Sequence, residues 1–224
     1  LGRYSHLIGK GKRVATLQSS RGCPAACLFC DIRLTKFRQR SPDSVLEEIR
    51  MLADQGFDDF FFVDDTITIN RKRLRTLAQR LAQEGPKIHF KISARVDTVD
   101  PELLDDLAAA GCYRIHLGGE SATPRLLDYM EKGVAPERIE KAFRDTQAAG
   151  IGTYAYMMIG IPSETEAEMQ RSVDFAINLK AEYAQFSICT PYPKTALYQR
   201  MLMDKIIPED YWLQFAKRPA EAST

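Results

Sequence analysis

The interpretation of this sequence depends on one stretch, Ser20-Arg21-Gly22-Cys23-Pro24-Ala25-Ala26-Cys27-Leu28-Phe29-Cys30. It places three of the five cysteines at the spacing C-x3-C-x2-C, soon after the apolar run Val14–Leu17. An odd number of cysteines fits a disulfide framework poorly. Clustered thiols in a sequence that shows no secretory leader indicate metal ligation in a reducing compartment. We therefore expect a metal-binding loop and a cytoplasmic protein.

The kind of metal site follows from the number of ligands. Thiolates are the usual ligands of iron–sulfur clusters. Cys23, Cys27 and Cys30 can fill three corners of a cubane cluster and leave the fourth iron open to a substrate or cofactor, as in an open catalytic metal site. A structural zinc site requires four ligands, normally in two pairs, and no fourth Cys or His stands near this loop. Zinc, or three packed cysteines, is the alternative.

Around this loop, short apolar runs alternate with amphipathic stretches. The runs typical of β-strands are Val14–Leu17, Phe57–Val63, Ile88–Ile92, Tyr113–Leu117, Ile151–Ile159 and Tyr183–Cys189. Ser41, Asn70 and Asp100 are expected to cap helices between them. The alternation predicts an α/β fold with a parallel sheet and outer helices, either doubly wound or an incomplete barrel. In both arrangements the chemistry lies at the carboxyl ends of the strands.

Composition excludes several classes of protein. A length of 224 residues with 45% hydrophobic residues is enough for one well-buried domain. The net charge of +1 implies neither a nucleic-acid partner nor an anionic membrane. No apolar run approaches the length that spans a bilayer, so no membrane span is expected.

The cysteine motif, with the aromatic Phe29 before its last cysteine, resembles the signature of the radical S-adenosylmethionine (radical SAM) superfamily. The resemblance covers almost the whole sequence. It implies a partial (β/α)6 TIM-type barrel, with parallel strands inside and helices outside. Residues 1–203 would form this core, and residues 204–224 would be a C-terminal tail or the start of a further region.

The resemblance also implies the chemistry. A 4Fe–4S cluster on the three cysteines would bind S-adenosylmethionine, and one electron from the cluster would break its sulfonium C–S bond. The resulting 5′-deoxyadenosyl radical would abstract hydrogen from a small-molecule substrate. An electron donor such as flavodoxin or ferredoxin is the implied partner.

Residues after the second and third strands are candidates for binding this cofactor. Asp64 or Asp65 would receive the methionyl ammonium group, although a helix cap or a solvated turn is an equal alternative for this acidic pair. Ser93 and Arg95 lie on one side of the third strand. Arg95 would pair with the cofactor carboxylate, and a surface ion pair with Asp97 is its alternative.

Later strand ends supply the remaining candidates. Gly118-Gly119-Glu120 looks like the family's Gly-Gly-Glu element but follows the fourth strand instead of the second, and Glu120 there suits the ribose hydroxyls. Gly160 and Ile161 lie in a segment that resembles the family's Gly-x-Pro-x-Glu-Thr, and they would pack the adenine. In the segment that resembles the closing Pro-x-Pro-Gly-Thr, Lys194 replaces the glycine.

Side chains within the strands are interpreted as packing residues. Cys112 and Cys189 are expected to be buried, because free cysteine commonly is. The alternative for Cys189, at the end of the sixth strand, is a second catalytic cysteine that faces the barrel mouth. His116 is expected to be packed or hydrogen-bonded. Tyr156 shares a strand face with Tyr154, a pattern more typical of core than of a site.

Among subfamilies, the combination of Ser-Arg-Gly-Cys-Pro, Val-Asp-Asp-Thr, Gly-Gly-Glu-Ser and Gly-Ile-Pro-Ser-Glu-Thr looks most like the cobalamin-binding class. That class includes C-methyltransferases and anaerobic magnesium-protoporphyrin ester cyclases. Cobalamin rests on this resemblance alone, and its domain is expected upstream, outside this sequence, because 22 residues before Cys23 cannot hold it. One alternative is a transfer-RNA methylthiotransferase, which the low net charge disfavours. Another is a non-catalytic iron–sulfur sensor, in which Arg95 and Glu120 would be dispensable.

Overall fold

The structure is a computed structural model that describes residues 10, 11, 13–207 and 210–218. Of the expected core, residues 1–9 and 12 lie outside this description, as do residues 208, 209 and 219–224 of the expected tail. The described strands are β1 (Val14–Leu17), β2 (Ser20–Arg21), β3 (Arg38–Gln39), β4 (Asp59–Phe62), β5 (His89–Arg95), β6 (Cys112–Glu120), β7 (Gly152–Ile159) and β8 (Tyr183–Ile188).

Helices connect most of these strands, and a 3-10 turn at Ile67–Ile69 follows β4. The described helices are α1 (Pro42–Asp54), α2 (Arg71–Glu84), α3 (Pro101–Ala109), α4 (Pro124–Tyr129), α5 (Pro136–Ala148), α6 (Glu166–Asn178), α7 (Ala196–Met203) and α8 (Tyr211–Lys217). None of the helices in the described residues is long and apolar enough to cross a bilayer.

Six strands form one parallel sheet in the order β1-β4-β5-β6-β7-β8, while β2 and β3 pair antiparallel beside it. Every neighbour in the large sheet is the next long strand along the chain. A doubly wound sheet reverses its strand order part-way, whereas a barrel does not. The predicted partial (β/α)6 barrel is therefore confirmed, and each of the six predicted strands is present.

The predicted helix caps are also confirmed. The side chain of Ser41 accepts from the backbone N–H of Ser44, and Asn70 and Asp100 make the equivalent bonds at the starts of α2 and α3. Each cap satisfies one of the backbone donors that a helix start leaves without a partner. Polar side chains at these positions thus set where each helix leaves the carboxyl end of the preceding strand.

Lys194 adopts the left-handed backbone conformation, with φ +68°, which the family's glycine would adopt without strain. A residue with a side chain in this conformation lowers the free energy of unfolding by roughly 1–2 kcal/mol relative to glycine. Glycine recovers only part of this, because it gives the unfolded chain more conformational freedom. We expect Lys194→Gly to raise the free energy of unfolding by about 0.5–1 kcal/mol. Urea unfolding would measure this, and a loss of stability in the variant would contradict the strain assigned to this loop.

Candidate functional site

A cavity of about 300 Å³ opens at the carboxyl ends of β4, β5 and β6, beside the cysteine loop. Nine of the eleven residues predicted for the site line it. They are Cys23, Cys27, Phe29, Cys30, Asp64, Asp65, Ser93, Arg95 and Glu120. Gly160 and Ile161 do not line it, whereas Lys132, His116 and Tyr156, which were not predicted as site residues, do.

The cysteine loop folds back on itself through a glycine turn. Gly22 has φ +87°, and a Cβ at this position would lie 2.4 Å from the carbonyl oxygen of Lys36. The backbone N–H of Thr35 donates to the Cys23 carbonyl at 3.0 Å, and the Cys23 N–H donates to Thr35 Oγ1 at 2.9 Å. Only glycine can make this turn without displacing the opposite strand of the loop.

The centre of the loop is held by two helices. The N–H of Leu28, which is buried, donates to the carbonyl of Met130 just after α4 at 2.9 Å. The carbonyl of Leu28 accepts from the N–H of Leu197 in α7, also at 2.9 Å. These bonds fix the loop between α4 and α7 and keep its cysteines at the cavity.

Asp64 and Asp65 fasten the end of β4 to the start of the cysteine loop. The buried Asp64 carboxylate accepts from the Ser19 N–H at 3.0 Å, from the Ser19 hydroxyl at 2.8 Å and from the Ser20 hydroxyl. Asp65 accepts from the N–H of Gly22 at 2.6 Å. Both carboxylates thus support the loop as well as facing the cavity, and their binding of the methionyl ammonium stays a prediction.

Arg73 completes the support of this strand end. Its guanidinium is buried, donates to the Ser19 carbonyl at 3.1 Å and to the Arg40 carbonyl at 2.7 Å, and lies near the charge of Asp64. Burial lowers the pKa of Arg73, and the Asp64 carboxylate opposes that change. This arginine therefore joins α2 to the backbone at Ser19 and at Arg40.

Replacing Asp64 with asparagine is expected to lower the free energy of unfolding by about 2–4 kcal/mol. The substitution removes the charge opposite Arg73 and turns one acceptor into a donor facing the Ser19 N–H or the two hydroxyls. The matched control is Asp65→Asn, at an exposed carboxylate with one backbone donor, for which we expect a loss of about 1 kcal/mol or less. Equal effects of the two substitutions in urea unfolding would contradict this assignment.

Arg95 reaches both a cysteine and an acidic residue. Its Nη1 lies 3.1 Å from the Cys27 sulfur, and its Nε and Nη2 each donate to Asp97 at 2.9 Å. A further bond joins Nη2 to the carbonyl of Lys132 at 2.8 Å. Burial lowers the pKa of Arg95, but the bonds to Asp97 and the charges of Asp97 and Cys27 raise it above its usual range. The positive charge of Arg95 thus lies next to the Cys27 sulfur.

The three thiols have the donor chemistry of a cubane cluster. Cys23 and Cys27 are buried, Cys30 is half-buried, and all three face the same cavity. Burial, reinforced by the charges of Asp31 and the two other cysteines, raises the pKa of the Cys30 thiol. Among the described residues no three His, Cys, Asp or Glu side chains gather closely enough to share one metal ion. A cubane does not require such a group, because each thiolate binds a different iron.

The two remaining cysteines are buried elsewhere, as predicted. Cys112 and Cys189 are 5% and 7% exposed, and neither lines the cavity. Burial raises the pKa of Cys112 to about 12 and that of Cys189 to about 11. Both are therefore neutral packing side chains near pH 7.

Glu120 enters the cavity from a bulge in β6. The pairing of β6 with β7 shifts between Gly118 and Glu120, and Glu120 has φ +63°. Its Oε1 accepts from Lys132 Nζ at 2.8 Å, in an ion pair whose side chains are only 9% and 5% exposed. A Cβ on Gly118 would lie 2.6 Å from that oxygen and 2.8 Å from Lys132 Nζ. In this structure Gly118 therefore makes room for the ion pair, and Lys132 is the residue that the sequence interpretation missed.

His116 and Tyr156 lie deeper in the cavity. The Nδ1 of His116 lies 2.9 Å from the Tyr156 hydroxyl, and its ring stacks on Tyr154 with centroids 4.6 Å apart. Burial and the positive charges of Lys91 and Arg114 lower the pKa of His116 to about 4. The imidazole is therefore neutral near pH 7. The predicted packing of His116 is confirmed, and it also contributes a polar atom to the cavity.

Stability is expected to depend on pH through His116. Its folded-state pKa lies below the usual 6.5, so the unfolded chain binds the proton first as the pH falls. Stability therefore decreases between pH 6.5 and about pH 4, by about 2 kcal/mol at pH 5. We expect His116→Gln to remove about that amount from the difference in unfolding free energy between pH 7 and pH 5. Identical pH profiles of variant and parent in urea unfolding would contradict this.

Gly160 and Ile161 form a separate turn after β7. Their backbone N–H groups donate to Glu164 Oε2 at 2.6 and 3.1 Å, and Gly160 has φ +75°. The Ile161 side chain is buried in the core at 2% exposure. Glu164 thus holds the turn, while Thr165 and Glu168 form the capping box of α6. The packing of adenine by Gly160 and Ile161 stays a prediction, and only their backbone is available for it.

A model of the radical SAM superfamily matches residues 17–176, which include the whole cysteine loop and the strand ends that line the cavity. The chain belongs to the radical SAM superfamily. Its cysteine loop, cavity and barrel are thus the parts of a radical SAM domain, in the place where the sequence predicted them.

Relatives of this radical SAM chain include methyltransferases and a cyclase. An uncharacterized methyltransferase of Pyrococcus horikoshii is 33% identical over 92% of the chain. The anaerobic magnesium-protoporphyrin IX monomethyl ester cyclase of Cereibacter sphaeroides is 33% identical over 90% of the chain. The chain spans 46% and 34% of the lengths of these two proteins.

A solved structure shares the barrel. The radical S-adenosylmethionine methyltransferase TsrM from Kitasatospora setae, with cobalamin and a [4Fe–4S] cluster bound, superposes with a TM-score of 0.79 at 25% identity. The match covers 87% of this radical SAM chain and 40% of TsrM. The predicted likeness to the cobalamin-binding class is therefore confirmed.

Proposed function

We propose that this chain is the catalytic core of a radical SAM enzyme that reductively cleaves S-adenosylmethionine and methylates or cyclises a small organic substrate. The observation that carries this proposal is the convergence of Cys23, Cys27 and Cys30 with Arg95 and Glu120 on one cavity. When bound, the cluster supplies the electron that breaks the sulfonium C–S bond and yields the 5′-deoxyadenosyl radical.

Charged residues of the chain would hold the amino-acid part of the cofactor. Arg95 and Lys132 present two cations to the cavity, and either would attract the carboxylate, Arg95 through Nη1, because its Nε and Nη2 already donate to Asp97 and to the Lys132 carbonyl. Asp65 would receive the ammonium group, because its carboxylate is exposed and makes one backbone bond. Asp64 is less suited to this role, since buried donors already occupy both of its oxygens.

The nucleoside part would lie along β6 and β7. Glu120 would accept from the ribose hydroxyls, and the ion pair with Lys132 would hold its carboxylate in position. Ser93 would add a hydroxyl from β5. The backbone of Gly160 and Ile161 would line the adenine. His116 and Tyr156, deeper in the cavity, would face the substrate.

The relatives support the proposed class of substrate and the second cofactor. Because the Pyrococcus relative and TsrM are methyltransferases and TsrM holds cobalamin, we assign cobalamin to a domain of this protein outside the present sequence. The substrate is a small molecule, not a nucleic acid. Residues 1–203 form the radical core, residues 204–224 belong to the tail, and the reaction takes place in the reducing cytoplasm.

The proposal is tested with the reconstituted full-length protein, which includes the domain assigned to cobalamin, together with cobalamin, dithionite and S-adenosylmethionine that carries a deuterated methyl group. Cleavage to 5′-deoxyadenosine with label in the substrate would show methylation. Cleavage with all the label left in methionine would favour cyclisation. Cys189→Ala, at a buried cysteine away from the cavity, is the control and is expected to behave like the parent. A protein with a complete cluster that forms no 5′-deoxyadenosine would contradict the proposal and favour a sensor.

A further inference from the structure

Two arginines face each other across the short β2–β3 ladder. The register pairs Arg21 directly with Arg38, and both are exposed. Like charges directly opposite in a ladder are destabilising. The Nε of Arg21 donates to the uncharged Gln18 at 2.7 Å, and within the described residues neither arginine has a carboxylate within ion-pair distance. The fold therefore maintains an electrostatic misfit at this position.

The neighbouring cations differ. Arg33 pairs with Glu131 at 2.8 Å, and Arg40 pairs with Glu48. Lys36, which lies beside Gly22 on the way to β3, is exposed and has no ion pair in the part of the chain that the structure describes. Arg21, Lys36 and Arg38 are thus three exposed cations without an ion pair among the described residues, on a chain whose net charge is only +1. We refer to these three residues as the basic face.

The basic face is adjacent to the cysteine loop but separate from the cavity. Arg21 precedes Cys23 by two residues, so their Cα atoms are at most about 7 Å apart. The concavity between β2 and β3 is lined by both arginines and by the ion pair of Arg40 with Glu48. It shares no lining residue with the cavity that holds the thiols. A partner on the basic face can therefore approach the cluster position while the cavity stays open to cofactor and substrate.

We propose that the basic face is the docking site for an acidic electron-transfer protein of the flavodoxin or ferredoxin class. This inference rests on the proposed function, which requires one electron for each cleavage. In the docked pair the donor loses one electron and the cluster gains it, and no covalent bond forms or breaks. Complexes of this kind are small and depend on complementary charge. Leu34, 59% exposed in the same loop, supplies an apolar contact.

A protein donor fits this surface better than a nucleic acid does. Three uncompensated cations give a short electrostatic footprint, whereas nucleic-acid sites extend along a basic stripe and commonly add stacking aromatics. Arg21 and Arg38 also flank the cysteine loop that would hold the cluster. A donor bound at this position would therefore lie close to the cluster that it reduces.

The test compares Arg21→Glu/Arg38→Glu with Lys87→Glu/Arg144→Glu, an equal change of charge at two exposed cations near the amino end of the barrel. Affinity for oxidised flavodoxin is measured by calorimetry at low and high salt. Formation of 5′-deoxyadenosine is measured separately with reduced flavodoxin and with dithionite. Arg21→Gln/Arg38→Gln is the milder variant, which preserves the fold if the charge reversal does not.

We expect the reversal to weaken flavodoxin binding about tenfold or more, with the dithionite-driven rate unchanged and the control variant like the parent. The flavodoxin affinity of the neutral variant should lie between those of the parent and the charge-reversal variant. High salt should weaken flavodoxin binding by the parent more than binding by the reversal variant. Equal flavodoxin affinity in all variants would overturn the docking site. Failure of the parent with dithionite would instead overturn the proposed function.

Discussion

The Cys27→Ala variant is expected to form no 5′-deoxyadenosine above the level of buffer without protein. The substitution leaves two thiolates for a cluster that needs three, and it also removes the sulfur that lies 3.1 Å from Arg95. Iron and sulfide content after reconstitution should fall with the activity, while the far-ultraviolet circular dichroism of the unreconstituted chain should stay that of the parent.

The matched control for this prediction is Cys112→Ala, which removes a buried thiol from β6 that does not line the cavity. We expect it to keep its full iron content and activity and to lose about 1–2 kcal/mol of stability through lost packing. A Cys27→Ala protein with the iron content and activity of the parent would show that the cluster ligands have been wrongly assigned.

The Lys132→Met variant is expected to lose about 3–5 kcal/mol of unfolding free energy, since it leaves the Glu120 carboxylate buried without its partner. Glu120→Gln combined with Lys132→Met removes both charges and should recover most of this loss. Urea unfolding of the unreconstituted chain measures both effects without the cofactors. A double variant no more stable than Lys132→Met would contradict the ion pair as their cause.

The same pair separates an enzyme from a sensor. If Glu120 binds the ribose hydroxyls, the more stable double variant should still bind S-adenosylmethionine about tenfold or more weakly, because the charge-assisted bonds are gone. Equilibrium dialysis with the reconstituted protein measures this affinity. Unchanged affinity in the double variant would favour the non-catalytic reading, in which Glu120 is dispensable.

Strong local signals made most of the barrel predictable. Each of the six sheet strands coincides with an apolar run of the sequence, and α1, α2 and α3 begin at the side-chain caps Ser41, Asn70 and Asp100. The β2–β3 ladder was not predicted because each strand has two residues and is polar, so no period is visible. Helix α7 was not predicted although Thr195 caps it, because the closing segment that ends at Thr195 was the last motif interpreted before this short helix.

The site was predictable where a residue lies at the carboxyl end of a strand. Asp64, Ser93 and Glu120 all line the cavity because the carboxyl ends of parallel strands meet there. Lys132 lies beyond α4, and its reach back to Glu120 depends on the bulge in β6. Such a contact depends on tertiary structure, and no local sequence pattern predicts it.

The central claim is tested most directly by electron paramagnetic resonance of the anaerobically reconstituted, dithionite-reduced chain before and after S-adenosylmethionine is added. We predict the signal of a reduced cubane cluster that changes when the cofactor is added, because the cofactor would bind the iron that Cys23, Cys27 and Cys30 would leave open. A cubane signal that the cofactor leaves unchanged, or a chain that binds zinc tightly and forms no cluster, would contradict the account.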